Sequence, residues 1–163
     1  LEALKDKIAK IKFLFTDVDG VLTDAGVYYS ASGEALKKFS LRDGMGAERL
    51  RKLTEVQIGI ITGEQSEIVK RRAEKLNIQE LHLGIKDKLS LLKERIKLLG
   101  ISMEEVAYIG DDMNDLEVIE HAGLTAAPED AVEEIISRVH YTCRAKGGQG
   151  AFREFCELII KYK

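Results

Sequence analysis

The chain has 163 residues, 45% hydrophobic and 33% charged, with 25 lysines and arginines against 28 aspartates and glutamates. That length suits one domain with a substantial core and leaves no room for a second. The net charge of −3 argues against a general nucleic-acid or anionic-membrane binder, which carries a basic excess, whereas a small anionic substrate needs only local positive charge.

Apolar β-rich runs alternate with helical patterns, the sequence form of an α/β three-layer sandwich with a mostly parallel sheet. The amphipathic stretch Leu1–Lys12 lacks the apolar centre of a signal peptide, and no apolar run approaches the roughly 18 residues of a membrane span. A soluble, cytoplasmic protein is expected. The first predicted strand, Ile11–Thr16, runs into Asp17-Val18-Asp19-Gly20. Side chains at i and i+2 of a strand share a face, so Asp17 and Asp19 can serve one site, at the strand end where sites of open α/β sheets form. Two such carboxylates repel unless a cation or a proton intervenes. The segment reads either as an Mg²⁺-assisted aspartate nucleophile with a neighbouring acid/base, or as an Asp-Gly turn after a buried strand.

Next, Gly26–Ser30 and Ala35–Phe39 flank the turn Ala31-Ser32-Gly33-Glu34, which predicts a β-hairpin projecting at the same end as Asp17. A strand over Val56–Thr62 ends in Thr62-Gly63, a hydroxyl and a backbone N–H at a helix start that suit a phosphoryl group. The helix over 65–76 places Ile68, Val69, Ala73 and Leu76 on one face. A strand at Glu80–Leu83 precedes Lys86-Asp87-Lys88. The helix from Lys88 to Leu99 aligns Leu89, Leu92, Ile96 and Leu99, and Lys88 can neutralise a phosphate oxygen. Ser102-Met103-Glu104-Glu105 spells a capping box. The strand Val106–Ile109 ends in Gly110-Asp111-Asp112-Met113-Asn114-Asp115, and strands at Leu124–Ala126 and His140–Thr142 complete the sheet. Each motif taken singly also has a structural reading: a turn, a solvated helix lysine, or an acidic helix N-terminus stabilised by the macrodipole. Cys143 and Cys156 have no metal-ligand spacing and read as reduced structural thiols.

Four consecutive strand ends would need four unrelated explanations, whereas one reaction uses them all. The order D-x-D, T-G, K, G-D-D-x-x-D resembles the haloacid dehalogenase superfamily of phosphohydrolases, from Ile11 through Asp115 and on to the C-terminus. The resemblance implies a Rossmann-like fold, with Asp17 attacking phosphorus to form an aspartyl-phosphate and Asp19 acting first as acid and then as base. It implies Thr62 and Lys88 as holders of the transferring oxygens, and Mg²⁺ held by Asp17, the Asp19 backbone carbonyl and Asp111. Asp112 and Asp115 would support the metal from its outer shell. Many relatives insert a cap domain. About 40 residues between Asp19 and Thr62, and about 25 between Thr62 and Lys88, leave no room for one, so residues 1–163 read as a single capless domain.

Lys38–Gly46 and Arg144–Glu154 are similar to stretches of the 3-deoxy-octulosonate 8-phosphate phosphatase family. That resemblance implies a homotetramer assembled through the hairpins, with the C-terminal tail completing a neighbouring site. It also implies a small phosphorylated sugar-acid substrate in lipopolysaccharide sugar synthesis, with no nucleic-acid or membrane partner. The implied substrate-binding set is Thr62, Gly63, Lys88, Arg42, Glu64, Arg72, Lys75 and Arg144. Arg42-Asp43-Gly44 matches the eight-carbon branch, whereas Glu64 with Arg72 and Lys75 resembles the branch acting on nine-carbon 2-keto-3-deoxy acids, or forms a solvated helix face. The eight-carbon acid is the preferred expectation and the nine-carbon acid the alternative. A capless phosphatase for protein or nucleic-acid phosphates, and a phosphate-binding or assembly module without catalysis, are the remaining readings. Gly147-Gly148-Gln149-Gly150 reads as a flexible connection or as a loop that approaches an anionic sugar acid closely.

Overall fold

The computed structural model describes residues 2–163. Helix α1 (Glu2–Lys10) leads into β1 (Phe13–Thr16), whose four residues are all buried. The hairpin strands β2 (Tyr28–Ser30) and β3 (Gly33–Leu36) follow, then α2 (Leu41–Leu53), β4 (Gln57–Ile61), α3 (Glu67–Lys75), β5 (Glu80–His82) and α4 (Lys88–Leu99). The second half comprises β6 (Val106–Ile109), α5 (Leu116–His121), β7 (Leu124–Ala127), α6 (Glu133–Ile136), β8 (Tyr141–Thr142) and α7 (Ala151–Tyr162). No described helix is long and apolar enough to cross a membrane.

Six strands form one parallel sheet in the order β5-β4-β1-β6-β7-β8. Strands buried on both faces need apolar residues at every position, and their period of two divides those residues between two cores. Leu14, Ile58, Ile60, Ala107 and Ile109 join α1, α2, α3 and α7 on one face, where Phe152, Phe155 and Ile159 of α7 also pack. Phe13, Phe15, Ile61 and Tyr108 join α4, α5 and α6 on the other. Phe13 and Phe15 stack with ring centres 4.6 Å apart. Each fully buried side chain of this kind contributes about 1.5–3 kcal/mol.

Helix ends are set locally. Ser40, Ser66 and Asp87 cap α2, α3 and α4 by accepting from Arg42, Val69 and Ser90 N–H groups. Glu105 accepts from the Ser102 N–H at 2.8 Å, the reciprocal bond of the predicted capping box.

Strand ends shift from the sequence reading by one or two residues, and two differences change what lies near the site. The hairpin turns on Ala31-Ser32 alone, since Gly33 and Glu34 already pair with Ser30 and Tyr29; Gly33, at φ +114°, serves a strand end rather than the turn centre. Helix α3 is capped at Ser66, so no helix N-terminus lies directly at Thr62-Gly63.

In the sheet order, the chain moves outward from β1 on one side through β4 and β5, and on the other side through β6, β7 and β8. The crevice between β1 and β6 is therefore a topological switch point, where loops diverge and leave room for a ligand.

Candidate active site

The loops after β1, β4 and β6 enclose a cleft of about 260 Å³ lined by Asp17, Asp19, Ala25, Thr62, Gly63, Glu64, Asp111, Asp112 and Asn114. Asp17 follows β1 directly, and its N–H donates to the Ile109 carbonyl at 3.1 Å, extending the β1–β6 ladder to the cleft floor. Val18 points into the core, so Asp17 and Asp19 both reach the cleft although the strand itself stops at Thr16. Gly20 turns the chain at φ +90°, and a Cβ there would overlap the Asp111 carboxylate.

Lys88 lies beneath the cleft, 3.0 Å from Asp17 Oδ1 and 2.8 Å from Asp115 Oδ1. Asp115 is fully committed: Oδ1 also accepts from Tyr108 Oη, and Oδ2 accepts from the N–H groups of Asp111 at 2.9 Å and Asp112 at 3.3 Å. Asp115 thus anchors the lysine and the loop after β6 together. Tyr108 was not singled out from the sequence, where it reads as one more core residue of a strand. Asn114 was also passed over, although it stands within the acidic motif.

Ligand oxygens from Asp17, Asp111 and Asp115 lie within 4.8 Å of one another. Burial, then the Asp115 charge, holds the Asp17 carboxyl well above the usual range despite Lys88. Burial and Asp115 likewise push Asp111 up to about 7, and its Oδ1 is buried with no hydrogen-bond partner. Burial works against the Lys88 charge, yet the flanking Asp17 and Asp115 outweigh it and hold the ammonium above its ordinary value. Two buried carboxylates and a half-buried one against one ammonium leave a negative excess, and the orphaned Asp111 oxygen faces it. Hard oxygen donors with uncompensated charge are what a divalent cation binds. The residues present therefore fit a metal ion, with Asp17 and Asp111 open to it and Asp115 occupied elsewhere.

Thr62 is buried at the end of β4, where its N–H donates to the His82 carbonyl at 3.0 Å. The hydroxyl, which accepts weakly from Glu64 N–H at 3.4 Å, is what Thr62 presents to the cleft.

Five predicted substrate residues do not line this cleft: Lys88 lies beneath it, and four stand elsewhere. Arg42 is exposed on the first turn of α2. Arg72 donates to the Ser40 carbonyl at 2.9 Å and sits over the Phe39 ring, tethering α3 to the chain entering α2. Lys75 borders a separate depression with Gly44, Glu48 and Asn77. Arg144 is exposed, and its N–H is held by the Glu154 carboxylate. Glu64 alone of the nine-carbon signature lines the cleft.

The glycine-rich segment packs inside its own chain. Gly148 N–H donates to the Val21 carbonyl at 2.9 Å, and Gly147 N–H to Asp130 Oδ1 at 2.9 Å. A Cβ on Gly147 would overlap the Gly20 carbonyl oxygen. The close approach that these glycines permit is to the loop carrying Asp19.

A 3-deoxy-D-manno-octulosonate 8-phosphate phosphatase from Yersinia pestis is 41% identical over 154 residues, spanning 94% of this chain and 82% of that protein. The chain belongs to the 3-deoxy-D-manno-octulosonate 8-phosphate phosphatase family. The broader haloacid dehalogenase-like hydrolase family matches residues 75–153. Among solved members, the Moraxella catarrhalis phosphatase, in complex with a magnesium ion, a phosphate ion and a KDO molecule, superposes with a TM-score of 0.96 at 37% identity, over 100% of this chain and 93% of that one. The cobalt-bound Haemophilus influenzae phosphatase gives a TM-score of 0.92 at 38% identity, over 96% and 91% of the two chains. The α/β sheet order and hairpin described above are thus the fold of this phosphatase family.

Proposed function

We propose that residues 1–163 act as one phosphatase domain that hydrolyses 3-deoxy-D-manno-octulosonate 8-phosphate to the free sugar acid and phosphate. The observation that carries this reading is the cluster of Asp17, Asp111 and Lys88 at the β1–β6 switch point, under a cleft open to solvent. Relatives that carry this activity in their names align over most of the chain.

Asp17 is the nucleophile, its Oδ1 held by Lys88 and by the Val18 N–H at 2.8 Å, which fixes the carboxylate plane for in-line attack. Asp19 protonates the departing oxygen and then takes a proton from the water that hydrolyses the aspartyl-phosphate. The Thr62 hydroxyl and Gly63 N–H hold transferring oxygens, and Lys88 offsets their charge through Asp17. Asp17, the Asp19 carbonyl and Asp111 are the residues to hold Mg²⁺, with Asp112 and Asp115 behind them; when bound, the ion supplies charge neutralisation at the phosphoryl oxygens.

The cleft is small for a sugar acid, and the hairpin beside it exposes Tyr28, Tyr29 and Leu36 at 67%, 71% and 63%. Apolar side chains exposed in that number suit burial against another copy, which supports a homotetramer joined through the hairpins. Since Gly147 and Gly148 are committed within the chain, the exposed Arg144 and Lys146 are the tail groups left to reach a neighbour's substrate. Free, buried Cys143 and Cys156 accord with action in the reducing cytoplasm.

One observation favours the nine-carbon 2-keto-3-deoxy acid instead: Glu64 lines the cleft and Arg42 does not. The test is phosphate release with Mg²⁺ from the eight-carbon and nine-carbon phosphates side by side, with Asp17→Asn as control. A tenfold preference in kcat/KM, about 1.4 kcal/mol of discrimination, assigns the branch; turnover of neither above the control defeats the sugar-acid reading.

A further inference from the structure

We propose that Lys37 is a positioning residue for Asp19, fixing which carboxylate oxygen faces the leaving group; this rests on the reading of Asp19 as acid and base. Lys37 follows the last residue of β3, and its side chain is only 2% exposed. Its ammonium lies 2.5 Å from Asp19 Oδ1 and 3.0 Å from Glu34 Oε1. Glu34 Oε2 in turn accepts from Ser66 Oγ at 2.6 Å, and Ser66 is the cap of α3, accepting from Val69 N–H. A continuous chain of hydrogen bonds therefore runs from the start of α3, across the base of the hairpin, to Asp19.

Burying a lysine is costly unless it is paired. Lys37 is not part of either apolar core, so its burial serves the two carboxylates it bridges. An ammonium donates and never accepts, so Asp19 Oδ1 is occupied throughout the cycle and the proton to be transferred resides on Oδ2. In the first half-reaction, that proton passes to the ester oxygen as the P–O bond breaks and a bond forms between Asp17 and phosphorus. In the second, water bonds to phosphorus, the Asp17–phosphorus link breaks, and the water proton returns to Oδ2. Lys37 keeps all its protons. Its neighbour Lys38 is exposed, so the two adjacent lysines are separated by what they contact.

The test compares kcat/KM for 3-deoxy-D-manno-octulosonate 8-phosphate, which leaves as an alkoxide needing a proton, with that for 4-nitrophenyl phosphate, whose leaving group departs without one. The parameter kcat/KM covers steps only through leaving-group release, so the shared hydrolysis of the aspartyl-phosphate does not enter. General acid catalysis is worth about 10²–10⁴-fold. Lys37→Met, similar in length but without a donor, is expected to lose about tenfold or more on the sugar-acid phosphate and about threefold or less on the aryl phosphate. Lys37→Gln, which retains a neutral bond to Oδ1, is expected to fall between Lys37→Met and the unaltered protein, and carries the comparison if the Met variant does not fold. Asp19→Asn is the control, with the same split and larger. Equal losses on both substrates in a folded Lys37 variant, beside a split in Asp19→Asn, overturn the role of Lys37. No split in Asp19→Asn overturns the acid/base reading itself.

Discussion

The Lys88 ammonium sits between Asp17 and Asp115, 3.0 Å from one carboxylate and 2.8 Å from the other, on a side chain that is 1% exposed. Removing it leaves two buried carboxylates facing each other with Asp111 beside them. Losing one partner of a buried ion pair costs about 3–5 kcal/mol. Lys88→Met is expected to lower the urea unfolding midpoint accordingly and to cut phosphatase turnover about a hundredfold or more. Adding Asp115→Asn should restore much of the stability and none of the activity. Equal recovery of both would mean that Lys88 acts only through the fold.

Metal-free protein is expected to lose stability as pH rises. Asp111 titrates at about 7 in the folded chain, against a usual carboxylate value near 4, and Asp17 is also raised. Between those values the folded state binds more protons than the unfolded state, so the slope of stability with pH is negative. The full stability is present below about pH 4 for these groups and falls through about pH 7, on the order of 4 kcal/mol for Asp111. Saturating Mg²⁺ should flatten the dependence by binding the ionised forms. Urea titrations at pH 5 and pH 8, with EDTA or with Mg²⁺, provide the comparison. Greater stability at pH 8 than at pH 5 in EDTA would defeat the argument.

Gly147→Ala should separate activity from stability. A Cβ there meets the Gly20 carbonyl and lies near the Thr23 carbonyl, both rigid backbone, so the loop between them must move. Overpacking of this kind costs about 1–3 kcal/mol, yet the displaced loop carries Asp19, and positional errors near 1 Å reduce turnover about a hundredfold. The expected result is a folded protein with strongly reduced kcat. Unchanged kcat would show that the tail does not support that loop.

Asp43 offers a stabilising change. It is 2% exposed on α2, and Oδ1 accepts from the Arg153 N–H at 2.9 Å while Oδ2 has no partner. Burial pushes its carboxyl up to about 6, against the opposing pull of the Arg153 N–H and Arg72. Asp43→Asn preserves the acceptor and removes the buried charge, so it is expected to stabilise at pH 8 by about 1–3 kcal/mol and by about half as much at pH 5, where the unfolded carboxyl is already ionised. Thermal unfolding at the two pH values reads this directly, and destabilisation at pH 8 would show that its charge is needed.

Strand ends were legible because two signals coincide there: a buried parallel strand is apolar at every position, and a carboxylate or glycine immediately after it marks where the apolar run stops. Asp17, Thr62 and Asp111 were located in this way. Charged helix residues were not, because helical spacing tells which residues share a face but not what that face meets. Arg72 and Lys75 are three apart on α3, yet one ties down Ser40 and the other borders a different depression. Lys37 was invisible for a similar reason, since nothing local distinguishes it from Lys38 and its partners lie in the loop after β1 and at the hairpin base. Tyr108 was hidden by the unbroken apolar run that identifies its strand, because an inward aromatic needs no explanation until its hydroxyl is seen to meet Asp115.

The packing of Gly147 on Gly20, and of Gly20 on Asp111, also sets a schedule for biosynthesis. On the ribosome, β1 emerges well before residues 147–163 have been made, but the loop bearing Asp19 has nothing beneath it until they arrive. Helix α7 supplies Phe152, Phe155 and Ile159 to a core that α2 and the first strands have left open. A nascent chain held short of Gly147 thus lacks both the support beneath its site and the α7 side of one core, and competence to hydrolyse phosphate comes only when the late segment closes against one of the earliest.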